Sequence, residues 1–224
     1  MMKGKLIVLE GTDGTGKATQ TRLMAQKLEA EGVSFREIDF PRYGTPFALP
    51  VEQYLLGRLG AHPGDVSAYA ATTFYAIDRY ASYKEDWGGF YRTGGLILAN
   101  RYTTSNAVHQ AAKLPEGERE EYLRWLFDLE YRRLELPEPD LVIYLDLPPE
   151  ISAQLLRIRQ ESTHTAADIH EQDEAYLRQC RENAREIARQ LGWRRVDCSR
   201  EGAVRAQEDI HRELWGLVRP LTEN

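Results

Sequence analysis

The chain has 224 residues, 42% apolar and 29% charged, with 35 acidic against 29 basic side chains and a net charge of −6. That length gives one domain, or one domain with a small embedded subdomain, large enough to bury roughly 70% of the surface its unfolded chain exposes. The composition excludes collagenous and wholly disordered chains. The acidic balance argues against nucleic acid or an anionic membrane as partner.

Two cysteines, Cys180 and Cys198, are too few to staple a fold this size, so a reduced, cytoplasmic protein is expected. The longest apolar runs have strand length, far short of the ~20 residues of a bilayer span. The N-terminus lacks the extended apolar region and cleavage site of a signal peptide.

The first predicted element is a strand at Leu6–Leu9. It does not alternate polar with apolar residues, as expected of a strand covered on both faces. It runs into a glycine-rich turn and a helical pattern over Lys17–Gly32. The run LIVLEGTDGTGKAT fits the phosphate-loop pattern G-x-x-x-x-G-K-[ST] as far as Lys17 and departs from it at Ala18. The backbone of Gly11, Thr12, Asp13, Gly14, Thr15, Gly16, Lys17, Ala18 and Thr19 is the expected phosphate cradle. Its N–H groups and the following helix N-terminus favour an anion, and Lys17 adds a mobile point charge. Ala18 lacks the hydroxyl that usually ligates Mg²⁺, and Thr19 lies about 100° further round the helix.

A weaker strand at Ser34–Asp39 leads to the turn DFPRYG, from which Arg42 projects. Within the helical pattern Ser67–Tyr91, Tyr75 and Arg79 are i,i+4 and share a face. An aromatic ring beside a forked donor suits a nucleobase; a core aromatic beside a solvated arginine is the plainer alternative. A third strand, Leu96–Ala99, delivers Asn100 and Arg101 to the sheet's C-terminal edge. Open α/β sheets bind ligands at that edge, and an arginine there can clamp phosphate bidentately. On the helix that follows, Asn106 and Gln110 form an i,i+4 amide pair.

The rest alternates in the same way: a helix over Glu118–Leu136, a strand at Leu141–Leu145, a helix over Glu171–Leu191, a strand at Arg194–Asp197 and a helix over Gly202–Val218. Strands alternating with helices predict an α/β fold with a parallel sheet of about five strands. The polar stretch Gln160–His170 has few apolar residues to hold it to a core and reads as the mobile segment.

In order and spacing, LEGTDGTGKATQ, FPRYG, the Tyr75/Arg79 pair, NRY, SNAVHQ and YLDLPPE resemble the thymidylate kinase family over nearly the whole chain. The resemblance implies a P-loop NTPase-type sheet flanked by helices in a single domain, residues 1–224, with a small lid near 157–170. It implies transfer of the γ-phosphoryl group of ATP to dTMP with Mg²⁺, by a homodimer pairing through the apolar face of Ala68–Ala81. Gly11–Ala18 and Lys17 would then hold the ATP phosphates, and Asp13 would lie near the transferred group and the sugar. Phe40, Arg42 and Arg101 would line the acceptor phosphate. Tyr75 would stack on thymine, Arg79 and Asn106 would bond the base, and Gln110 would share the face of Asn106. Tyr176 would flank the sugar, and Arg157 and Arg159 would close over ATP.

The chain departs from the family at Ala18, at Asn100, where aspartate is usual, and at His109, where an aromatic often lies near the deoxyribose. Asn100 and Asp13 are left as weak candidates for the metal. A kinase for another deoxynucleotide or a deoxynucleoside, and a regulatory nucleotide-binding protein with impaired catalysis, stay open at this point.

Overall fold

The computed structural model describes residues 3–163 and 168–223 and, within these, all side chains but those of Arg159, Ser162 and Thr163. Strand β1 (Lys5–Glu10) feeds helix α1 (Lys17–Ala30), and β2 (Phe35–Asp39) is followed by α2 (Leu49–Leu55) and α3 (Ala68–Ser82). A π-helical turn at Tyr83–Trp87 joins α3 to α4 (Gly88–Arg92). Then come β3 (Leu96–Asn100), α5 (Thr103–His109), α6 (Glu116–Phe127) with a second π-helical stretch at Asp128–Arg133, and β4 (Leu141–Asp146). Helices α7 (Pro149–Thr163) and α8 (Glu174–Gln190) precede β5 (Arg194–Asp197). A ribbon of β6 (Ser199–Arg200) and β7 (Ala203–Val204) leads into α9 (Gln207–Val218).

The sheet order is β2-β3-β1-β4-β5, with every neighbouring pair parallel. In the central strand β1, Leu6, Ile7, Val8 and Leu9 have no exposed surface. Ile7 and Leu9 pack with Met24 and Leu28 of α1 and Ile210 and Leu214 of α9. Leu6 and Val8 pack on the other face with Trp87, Tyr91 and Tyr102. Successive side chains of a strand point to opposite faces, so a strand covered on both must be apolar at every position. This is why β1, β3 and β4 are visible in the sequence as apolar runs, whereas the edge strands β2 (FREID) and β5 (RRVD) are mostly polar and exposed and stand out less.

Two helices, α2 and α7, were not visible there. Part of the stretch expected to be mobile is anchored: the Ile169 N–H donates to the Leu55 carbonyl at 3.2 Å, and Ile169 and His170 are buried. Helix α7 runs on to Thr163; residues 164–167 and the Arg159 side chain lie outside the described residues. The helix expected from Gly202 begins at Gln207. Glu201 and Gly202 both have positive φ, 54° and 79°. That is the backbone of a two-residue hairpin turn, and it spends the preceding residues on the ribbon.

Candidate active site

The C-terminal ends of β1, β2 and β3 open onto a cavity of about 590 Å³. The phosphate loop forms one wall. Gly14 has φ +78°, and a Cβ there would meet the Ser152 carbonyl oxygen at 2.5 Å. Only glycine permits both that conformation and that approach of loop to α7. At the loop's root, buried Glu10 accepts the Gly11 N–H at 2.9 Å and the hydroxyls of Thr104 and Ser105 at 2.7 and 2.8 Å. One carboxylate therefore ties the loop to the start of α5. Helix α1 opens after Gly16 with no side-chain cap and no acid in its first turn. Its terminal N–H groups and positive dipole end are thus left to an anion. Lys17 curls over the loop, its Nζ donating to the Thr12 carbonyl at 2.8 Å, 4.0 Å from Asp13 Oδ1.

Arg101 crosses the cavity. Its Nη2 pairs with Asp13 Oδ1, its Nη1 lies 3.3 Å from His109 Nε2, and it stands 3.7 Å from Glu10. Its φ of 66° is costly for a side-chain-bearing residue, about 1–3 kcal/mol. The backbone bond from its N–H to the Leu9 carbonyl at 3.1 Å and its ion pairs hold it there. Burial would raise the Asp13 carboxyl, but Arg101 and then Lys17 outweigh it and hold that group well below the usual carboxylate range. Burial, with Arg101 alongside, keeps His109 neutral well below the ordinary imidazole value.

Besides Asp13 to Thr19, the cavity is lined by Phe40, Tyr75, Arg79, Asn100, Arg101, Asn106 and Gln110. Arg79 lines it as a buried partner of Glu130, its Nε donating to Glu130 Oε2 at 2.7 Å. Gly11 and Thr12 lie behind the wall rather than on it.

Three further expected residues are not brought to the cavity. Arg42 turns to α3: its Nε donates to Asp78 Oδ1 at 2.8 Å and its Nη1 to Glu85 at 3.3 Å. Asp78 is almost fully buried, so the nearest cation is drawn to it. Arg157 is 72% exposed and reaches Glu174 at 3.8 Å. Tyr176 sits one layer behind the site, its hydroxyl donating to the His109 carbonyl at 2.7 Å.

In front of Tyr176, His170 lines the cavity with Asp168 and Glu171. Asp168 Oδ1 accepts the N–H groups of His170 and Glu171, both at 2.8 Å. Burial pushes its carboxyl up to about 7. Asp39, also on the wall, is register-paired with Asn100 across β2 and β3. Asp168 lies in no motif, and Asp39 opens the DFPRYG turn without being singled out there; the fold brings both to the wall.

A five-stranded parallel sheet, a glycine-rich loop running into an uncapped helix and a cavity crossed by a paired arginine define a P-loop phosphotransferase. The family model described as thymidylate kinase matches residues 9–210. The thymidylate kinase of Mycobacterium tuberculosis (strain H37Rv) is 34% identical over 171 residues, 75% of this chain and 78% of its own. That of Synechococcus sp. (strain RCC307) is 30% identical over 225 residues, 97% of each chain. In fold, a thymidylate kinase structure from Candida albicans superposes with a TM-score of 0.69 at 20% identity, covering 97% of this chain and 92% of that one. The chain belongs to the thymidylate kinase family, enzymes that transfer a phosphoryl group from ATP to dTMP.

Proposed function

We propose that ATP lies along the phosphate loop and the β6–β7 ribbon, and that dTMP lies between Tyr75 and Arg101. The observation that carries this reading is Arg101, a half-buried cation paired at once with Asp13 of the loop and His109 of α5. A charge held at that junction can meet both the transferred phosphoryl group and the acceptor phosphate. Phosphoryl transfer asks mainly for alignment and charge neutralisation. Lys17 and the loop N–H groups supply these on the donor side and Arg101 on the acceptor side. With Arg42 held by Asp78, the preference for a phosphorylated acceptor rests chiefly on Arg101. Tyr75 offers a ring face, and Asn106 and Gln110 offer amides to the base edge. An acceptor panel tests this: kcat/KM with ATP is expected to be at least tenfold higher for dTMP than for dCMP, dGMP or thymidine. Faster turnover of dCMP or thymidine would refute it.

We also propose Mg²⁺ as the metal, with Asn100 and Asp39 as the groups that hold it or its waters. Asn100 Oδ1 is buried with no hydrogen-bond partner among the described residues, and its side chain bonds the Asp39 carboxylate. Burial raises that carboxyl, with Asn100, Arg101 and Lys17 opposing. Mg²⁺ takes oxygen donors and keeps several waters, which suits one carboxylate and one amide oxygen. Asp13 fits less well, since Arg101 already occupies it. When bound, the ion supplies charge neutralisation at the phosphates.

Asp39→Asn is expected to weaken Mn²⁺ binding to the ATP complex about tenfold, the scale of losing one charged donor. The exchange Asp39→Asn with Asn100→Asp is expected to restore it. Electron paramagnetic resonance titration reads both; an unchanged affinity in Asp39→Asn rejects the assignment.

The protein is further inferred to be a cytoplasmic homodimer. Among the described residues no helix is long and apolar enough to cross a membrane, and both cysteines are free and buried. An open groove lined by Phe47, Ala76, Ile77, Tyr80, Leu129 and Leu134 continues the exposed α3 face, where Ile77 is 49% exposed. A second copy seated there would cover it. Ile77→Asp should convert a dimer to a monomer in sedimentation velocity runs; a wild-type monomer, or a dimeric variant, counts against the interface.

A further inference from the structure

A continuous chain of buried and half-buried polar groups runs beneath the acceptor end of the cavity. Lys113 Nζ donates to the Tyr54 hydroxyl at 2.7 Å and to the Val66 carbonyl at 3.0 Å. The Gln110 side chain also hydrogen-bonds Tyr54. With its oxygen accepting from these donors, the Tyr54 hydroxyl must spend its one hydrogen outward. Two acceptors are in reach, the Pro63 carbonyl at 3.4 Å and His170 Nε2 at 2.8 Å. The shorter contact takes it, so His170 Nε2 is an acceptor.

The His170 ring stacks on His109, centroids 5.7 Å apart and planes 13° from parallel. At the far side, Arg101 Nη1 lies 3.3 Å from His109 Nε2. A guanidinium only donates, so this Nε2 is also an acceptor. Both rings are 5% exposed, and burial first, with Arg101 alongside, disfavours a positive charge on either; burial likewise brings the Lys113 ammonium down to about 7. A neutral imidazole that accepts at Nε2 carries its proton at Nδ1. In His109 that Nδ1 is buried with no partner among the described residues.

We propose that Lys113 is a positioning residue for the acceptor: through Tyr54 it fixes His170 in the Nδ1–H form, so that this ring, stacked on His109 and lining the cavity, offers an N–H donor to the sugar hydroxyl of the nucleotide. This rests on the reading of dTMP as acceptor. The location agrees with it. His109 touches Arg101 on the phosphate side and lies on the same helix as Asn106 on the base side, and a sugar sits between phosphate and base. The assignment gives His170 a specificity role and gives one to a lysine that does not line the cavity.

The test uses the full-length protein labelled with ¹⁵N at histidine, resonances being assigned with His109→Phe and His170→Phe. Two-bond ¹H–¹⁵N spectra are expected to show pyrrole-type Nδ1 and pyridine-type Nε2 for both rings in the wild type. Lys113→Met and Tyr54→Phe should shift His170 towards the Nε2–H form, and Lys113→Arg, which keeps a donor, should retain the wild-type pattern. By calorimetry, dTMP should bind Lys113→Met about tenfold more weakly, the scale of one misdirected hydrogen bond. The loss should fall on KM for dTMP rather than on kcat, with ATP affinity retained. A wild-type His170 protonated at Nε2 would overturn the relay, as would a Lys113→Met variant with unchanged tautomer and dTMP affinity. Failure of dTMP to bind the wild type would instead refute the acceptor reading, and the spectra would still decide the relay.

Discussion

Lys17→Met is expected to lower kcat by about 10²–10³, the usual effect of removing one preorganised charge-stabilising donor from a transition state. Methionine keeps the length and most of the apolar stem of lysine, so the packing of this buried residue is preserved. The group lost is the ammonium, which reaches the Thr12 carbonyl at 2.8 Å and lies 4.0 Å from Asp13. Asp13 keeps Arg101 as its partner, so the loop loses one hydrogen bond rather than its main ion pair. The melting temperature should therefore move by only a few degrees, the equivalent of about 1 kcal/mol. Steady-state kinetics at saturating ATP and dTMP, with a thermal melt on the same sample, separate the two effects. A variant that keeps kcat within about threefold would show that Lys17 does not act on the phosphoryl group in flight.

Glu130→Ala should destabilise the fold by about 3–5 kcal/mol, the largest stability effect expected of a single substitution here. Arg79 and Glu130 are 1% and 0% exposed. Glu130 accepts from Arg79 Nε at 2.7 Å and from the Thr103 hydroxyl at 2.6 Å. Removing the carboxylate leaves a guanidinium charge in the core with no counter-ion, which costs far more than the pair contributes. Urea denaturation measures the loss.

The double variant Arg79→Met with Glu130→Leu removes both charges and should recover most of that stability. It also isolates the second role of Arg79, which lines the cavity beside Tyr75. If Arg79 bonds the base as well as holding α3 to the π-helical stretch, the stable double variant will show a raised KM for dTMP. An unchanged KM would make Arg79 structural alone.

These two expectations mark the limit of what the chain discloses before it folds. Lys17 was legible because a strand, a glycine-rich turn and a helix start lie within fourteen consecutive residues, Leu6–Thr19, and backbone geometry within such a window is set locally. The three inner strands were legible because burial on both faces leaves no room for polar residues; the edge strands β2 and β5, half exposed and charged, gave only a weak signal. Helix α7 was not, since its later turns carry a polar sequence and its contacts come from elsewhere in the chain. Arg42 and Arg79 looked like free cations beside phosphate and base. Their carboxylates stand 36 and 51 residues away, and no local pattern announces either pair.

The same holds for the acceptor wall. The family resemblance placed Tyr176 by the sugar, while the fold puts His170 on the cavity wall and Tyr176 behind it, bonded to the His109 carbonyl. Asp39 and Asn100 lie 61 residues apart and become neighbours only through the register of β2 on β3. By itself, then, the sequence determined the phosphate loop, the inner strands of the sheet and the family, through short-range sterics, hydrophobic pattern and the order of its motifs. Only the tertiary structure decided which charges are already spent on one another. Ion pairing depends on distances of a few ångströms, and packing alone sets these between segments remote in the chain.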